Sequence, residues 1–333
     1  MKEDIRGRSV WPWIKALLGL VGLGLFIHLL NRVGLGNILD NVRRLGFWFL
    51  VIFLIEGARV FLMACGWSTI HNAFFKTIPL KTLFRIKIIS DNFNFAIPSA
   101  SLGGDAVRTL MIKKTISLKD GIPSVLFDKT FEYIGSTLFL MICFCLGLLS
   151  AGLPDSLTAP LLAGVGVTAA GLVLLVIIQA RGVTRTLLRV SRLIPKFGRW
   201  VESREEHLRA TDANFRLLYS RRSSRAIVAG SFHLLSRLVG TLEVLFVLWV
   251  LKAPVSLVQA MLISAVVTAI NTAFFALPGQ LGVMESAHMV MLQTFGYPPG
   301  IGLSLSMIRR IRRLAFVGLA MILFFVERRK VPE

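Results

Sequence analysis

Phe274 to Glu285 reads FFALPGQLGVME, and Phe93 to Asp105 reads FNFAIPSASLGGD. Each stretch is an apolar run stopped by a proline, followed by small residues, glycine and a single acid. The acid falls seven positions after the proline in both, from Pro98 to Asp105 and from Pro278 to Glu285. The copies lie 180 residues apart, and the same offset sets Ser124 on Ser304 and Lys129 on Arg309. The pattern predicts a duplication whose halves each contribute a proline-broken helix to one site inside a membrane. A turn motif shared by chance is the competing reading.

The rest of the composition fits that setting. The chain has 333 residues, of which 55% are hydrophobic, and its apolar runs are longer than those of a soluble protein. The fold class expected is therefore an all-α integral membrane protein, a polytopic helical bundle. A formal charge of +20 does not require nucleic acid. No nucleic-acid-reading module is visible, and basic residues flanking apolar spans orient a membrane protein. Cys65, Cys143 and Cys145 all sit in apolar stretches, so a disulfide framework is not expected. No His or Cys cluster has metal-ligand spacing, and no nucleotide loop or nucleophile motif is present. Neither a metal, a cofactor nor a catalytic residue is expected. The first apolar run follows a short basic start but ends in no small-residue cleavage pattern, so it is expected to remain as a span.

A helix needs about 20 apolar residues to cross the hydrocarbon core. That length places the first repeat at 1–150, with spans near 13–30, 47–67 and 122–149 and a re-entrant segment at 82–112. A connecting span follows at 157–178. The second repeat, 226–333, has spans near 226–251, 255–277 and 301–326 and a broken helix at 283–295. Between them, 181–225 holds twelve arginines and lysines against four acids, which predicts amphipathic helices lying on anionic headgroups at the cytoplasmic face. Counting spans from that segment puts both termini in the cytoplasm and gives the two halves opposite orientations. This is the inverted-repeat plan of many transporters. Glu56 and Arg59, three positions apart on one helical face, are expected to point inward and neutralise each other.

Chemistry concentrates in two places. The last span carries Arg309, Arg310, Arg312 and Arg313 too far from either end for all of them to reach an interface. On insertion scales four arginines at the bilayer centre cost roughly 10–14 kcal/mol unless water, counter-charge or an anionic ligand meets them. Glu243, Glu285 and Asp105 are the candidate counter-charges, and a purely structural ion network is the alternative. The proline breaks are the second place. Each half-helix that follows begins with unpaired N–H groups, and Gly103, Gly104 and Gly282 let a ligand approach that backbone closely. Asp105 and Glu285, near those helix starts, could cap the donors, hold the arginines or carry a coupled proton. The chemistry as a whole suits the phosphate of a lipid, with the tails left in the bilayer.

These residues resemble a known family. The pattern Pro98…Gly103-Gly104-Asp105…Arg108, followed by Asp128-Lys129 at the head of the next helix, is similar to the flippase-like membrane domain of lysylphosphatidylglycerol synthases. So is Leu277-Pro278-Gly279-Gln280-Leu281-Gly282-Val283-Met284-Glu285, although Gln280 stands where that family usually has glycine. An arginine in the final helix, Arg309 or Arg310, also fits. The resemblance implies a bacterial or archaeal inner-membrane protein that moves a lipid between leaflets. Together with the late arginines, it makes the expected substrate site Pro98, Gly103, Gly104, Asp105, Arg108, Lys129, Pro278, Gly282, Glu285, Arg309, Arg310 and Arg313. The soluble aminoacyl-transfer domain of the synthases has no counterpart before Glu333, and the Ser304 to Arg313 run resembles stand-alone relatives that include proteins associated with hopanoid synthesis. Membrane lipids are thus the expected partners, nucleic acid is not, and a homo-oligomer is compatible with the sequence. A membrane-embedded lipid transferase and a non-transporting scaffold for envelope-lipid synthesis are the alternative functions.

Overall fold

A computed structural model describes residues 36, 40, 43–96, 102–113, 115–150, 155–181, 209, 212–213, 223–274 and 280–329. The long apolar runs become helices even where glycine or an early proline such as Pro123 falls inside them. After a 3-10 turn at Gly46–Trp48 come α1 (Phe49–Phe74), α2 (Leu80–Ala96), α3 (Leu102–Ile112) and α4 (Leu118–Leu149). Then follow α5 (Asp155–Arg181), α6 (Ser223–Val250), α7 (Leu257–Ala273), α8 (Val283–Thr294) and α9 (Pro299–Arg329). Among the described residues there is no strand. The expected span at 13–30, both prolines of the breaks and most of the basic segment 181–225 lie outside the described residues.

Among the described residues three segments are long and apolar enough to cross a membrane: Arg43–Phe74, Asp120–Leu149 and Ser224–Val250. Leu54, Leu149, Leu174, Ile227 and Ile322 on the outside of the bundle are all more than half exposed, while Lys87, Arg108 and Asp128 are buried within it. Apolar outside and charged inside is the reverse of a soluble fold and is what hydrocarbon solvent demands. The protein is an all-α integral membrane protein.

A long helix, a shorter one, a short one and a long one occur in that order twice, as α1 to α4 and α6 to α9. The starts of α3 and α8 (Leu102, Val283) and of α4 and α9 (Leu118, Pro299) differ by 181 positions. The packing pairs exchange accordingly: α2 lies on α9 and α7 on α4, while α1 and α6 make the most extensive contact. Local signals fix some helix ends. Ser256 and Gln259 form a reciprocal capping box that starts α7. Gly282 precedes α8 at φ 77°, a conformation that favours glycine. The loop after α1 is pinned by a relay in which Trp67 Nε1 donates to Ser124 Oγ at 2.9 Å. That hydroxyl pairs with His71 Nδ1 at 2.7 Å, and His71 Nε2 meets the Lys76 carbonyl at 3.1 Å.

With no hydrophobic drive between helices in lipid, close backbone approach through small residues does much of the packing. A Cβ on Gly135 of α4 would sit 2.8–2.9 Å from the His233 and Leu234 backbone and Cβ atoms of α6. One on Gly302 of α9 would sit 2.5 Å from the His288 carbonyl of α8. Gly166 of α5, in contrast, faces nothing within 4 Å. Gly135→Ala and Gly302→Ala should each cost about 1–3 kcal/mol, read as a lowered unfolding midpoint in detergent. Gly166→Ala should leave the midpoint unchanged or raised.

Candidate functional site

Asp128 organises the first group of charges. It lies in α4, fully buried, and three helices send it donors. Lys87 Nζ of α2 is at 2.8 Å, Arg108 Nη1 of α3 at 2.6 Å and His233 Nε2 of α6 at 3.0 Å. Around this core, Arg108 lies 3.4 Å from Asp91 and 3.4 Å from Asp105. Lys129 reaches Glu132 at 3.5 Å and Asp105 at 3.8 Å. Arg237 of α6 donates to Ser136 Oγ at 2.7 Å and approaches Glu132 at 4.0 Å. The Arg108 guanidinium also lies over the Trp67 ring, 5.1 Å from its centroid. Lys87, Arg108, Lys129 and Arg237 balance Asp91, Asp105, Asp128 and Glu132 in this group.

The second group spans α1, α6, α8 and α9. Arg59 grips Glu56 through two 2.7 Å hydrogen bonds, so that pair does neutralise itself. Glu56 has a further partner the sequence does not reveal: Arg312 Nη1, 3.0 Å away, which also bonds Glu243. Arg310 bonds Glu285, and Ser306 Oγ lies 3.5 Å from the same carboxylate oxygen. His288 Nδ1 donates to the Met284 carbonyl at 2.7 Å, which leaves Nε2 to accept from Arg309 Nη1 at 3.3 Å. Arg309 Nε lies 3.7 Å from Glu243, and Arg313 adds its charge to the field at Glu56. Five guanidiniums (Arg59, Arg309, Arg310, Arg312, Arg313) therefore meet three carboxylates (Glu56, Glu243, Glu285) among the described residues. The excess is positive.

The expected site residues fall into these two networks. Asp105, Arg108 and Lys129 join the first, with Gly104 buried beside them and Gly103 in the first turn of α3. Glu285, Arg309, Arg310 and Arg313 belong to the second, Gly282 stands at the start of the helix that carries Glu285, and Pro98 and Pro278 lie outside the described residues. No ion pair joins the two networks among the described residues; α6 borders both, giving His233 and Arg237 to one and Glu243 to the other. Asp105 is not a counter-charge for the late arginines. It sits on α3, which packs on α2 and α4, and its positive neighbours are Arg108 and Lys129. Glu285 turns to Arg310 rather than capping the N–H groups of its own helix.

Lys87, Asp91, Asp128, Glu132, His233 and Arg237 complete the first network without standing among the expected site residues. Their signal was spacing: Lys87 and Asp91, Asp128 and Glu132, and His233 and Arg237 are each four apart and so share a helix face. Among the described residues no cluster of three or more His, Cys, Asp or Glu could hold a metal ion.

The family model described as "Lysylphosphatidylglycerol synthase TM region" matches residues 13–320. The chain is also similar to a UPF0104 membrane protein of Pyrococcus horikoshii. The two are 22% identical over 319 residues, which cover 89% of this chain and 92% of the relative. No solved structure matches.

Removing one member of a buried charge set leaves the others uncompensated, at a cost of about 3–5 kcal/mol. Asp128→Asn should therefore lower the unfolding midpoint sharply. Adding Lys87→Met should recover part of that loss, because it removes one of the stranded cations. A double variant no more stable than the single one would show that Lys87 and Asp128 are not coupled.

Proposed function

This chain belongs to the lysylphosphatidylglycerol synthase TM-region family, and from that premise we propose that it is a lipid translocase. It moves a lipid with an anionic or polyprenyl-phosphate headgroup between the leaflets of a bacterial or archaeal inner membrane. It acts as a carrier rather than an enzyme. The observation that supports this reading is the positive excess in the second network. Arg59 stands midway along α1, and Arg309 to Arg313 stand near the middle of α9, at the depth where charge is most costly. Five guanidiniums set against three carboxylates make that depth electropositive, and an anionic headgroup would be drawn to it. Guanidinium is also the side chain best matched to phosphate oxygens.

The side chains are placed for such contact. Arg309 and Arg310 keep 23% and 19% of their side-chain surface accessible, and Arg59 keeps 19%, while Glu285 and Glu243 behind them are buried. The carboxylates hold the guanidiniums in position and the accessible edges meet the ligand. In this reading α3 and α8 are re-entrant limbs of two oppositely oriented repeats, both termini are cytoplasmic, and the halves rock about the contact of α1 with α6. The balanced network around Asp128 favours a supporting role for the first half rather than a second headgroup site.

That same balance favours the scaffold reading as well, in which intramembrane charge serves assembly alone. The two readings part at Arg309, which touches the second network only at its edge. In vesicles reconstituted with fluorescent anionic lipid, Arg309→Ala should reduce leaflet exchange at least tenfold. Its unfolding midpoint should stay near that of the unmodified protein. Undiminished exchange would remove Arg309 from the path, and absence of exchange by the unmodified protein for any anionic lipid would favour the scaffold.

A further inference from the structure

Away from both charge networks, where α1 begins and α6 stops, a cavity of about 580 Å³ is lined by Arg44, Trp48, Trp249, Val250 and Lys252. The translocation reading makes no use of it. Three features mark it. First, its two cations are available. The neighbouring Arg43 lies 3.6 Å from Asp40, whereas neither Arg44 nor Lys252 has an acidic partner among the described residues.

Second, one wall is a braced set of aromatic rings. The Trp48 and Trp249 ring centroids are 6.0 Å apart, nearly edge to face, and Phe246 lies 5.7 Å and 6.1 Å from the two. Indole rings with one apolar and one polar edge collect at the headgroup level of a bilayer. Phe47 and Leu50 continue this surface outward, 80% and 48% exposed, as a place where acyl chains could lie.

Third, the backbone at Lys252 is unusual. The Ala253 N–H bonds the Leu248 carbonyl at 2.9 Å and the Lys252 N–H bonds the Trp249 carbonyl at 3.0 Å, the pair of bonds that closes a Schellman helix end. The residue at the turn takes left-handed φ, here 58°, and is ordinarily glycine. A lysine carries strain there that glycine would not.

We propose that this cavity binds the phosphodiester headgroup of a membrane phospholipid. The phosphate is shared by the Arg44 guanidinium and the Lys252 ammonium, the glycerol edge rests against Trp48 and Trp249, and the tails run down the apolar face of α1 and α6. The 28 residues of α6 span about 42 Å. The cavity thus lies at the end of α6 away from the basic segment that precedes it, and its lipid comes from the opposite leaflet.

The test is native mass spectrometry of delipidated full-length protein titrated with phosphatidylglycerol, with diacylglycerol as the phosphate-free control and sn-glycerol 3-phosphate as the tail-free competitor. Lys252→Gly should hold or raise the unfolding midpoint, since it relieves the turn, while weakening the tightest phosphatidylglycerol binding about tenfold. Arg44→Gln should weaken it similarly. Both losses should persist in an Arg309→Gln background, which separates this cavity from the central arginines. Unchanged binding in both variants, or equal binding of diacylglycerol, would overturn the proposal. Displacement of phosphatidylglycerol by glycerol 3-phosphate alone would overturn the lipid as its source.

Discussion

A carboxylate sealed at the middle of an apolar bundle has to be satisfied by its neighbours or it is not tolerated. Asp128 meets that condition by drawing one donor from each of three other helices. The requirement runs through the whole molecule. Lys87 is buried without exposure because Asp128 is there to receive it, and α3 is seated where its Arg108 can reach the same oxygen. His233 carries the tie across to the second half of the chain. At the far end of the same packing, Arg85 of α2 and Glu327 of α9 close a 2.8 Å bridge between the halves. Apolar packing alone would let these helices slide against one another, whereas matched charges at fixed heights set their register.

The two networks divide the labour of one architecture. Around Asp128 charge is balanced, which suits a joint. Around Glu56, Glu243 and Glu285 it is not, and the surplus falls on long guanidinium side chains that retain some accessible surface. Corresponding positions have been used differently: Lys129 answers the acid of its own half, Asp105, whereas at Arg309 the contact with Glu285 passes to Arg310, one residue further on. That shift leaves Arg309 toward His288 and Glu243.

Much of the helix order was legible in the sequence. Apolar run length marks the three segments long enough to cross a membrane and sets the short α3 and α8 apart from them. The short-range pairing of Glu56 with Arg59 was legible too, because three residues of helix bring the side chains to one face. Partnerships such as Lys87 with Asp128 or Arg312 with Glu56 were not, since each depends on how helices far apart in the chain come to lie together. The same limit explains Asp105. Its spacing from Pro98 copies that of Glu285 from Pro278, but spacing says nothing about which cation stands opposite. The break prolines themselves lie outside the described residues.

The near-contact of Gly302 with the backbone of α8 has a mechanical consequence. Two helices pressed together backbone to backbone, and joined by the few residues from Phe295 to Pro298, cannot be prised apart without opening a void in hydrocarbon. In the rocking motion proposed above, Glu285 and Arg310 would travel as one stiff paddle, with their ion pair carried along unbroken. Whatever torque the rest of the bundle applies is delivered to the arginine edge as a tilt of that paddle, not as a parting of its two blades.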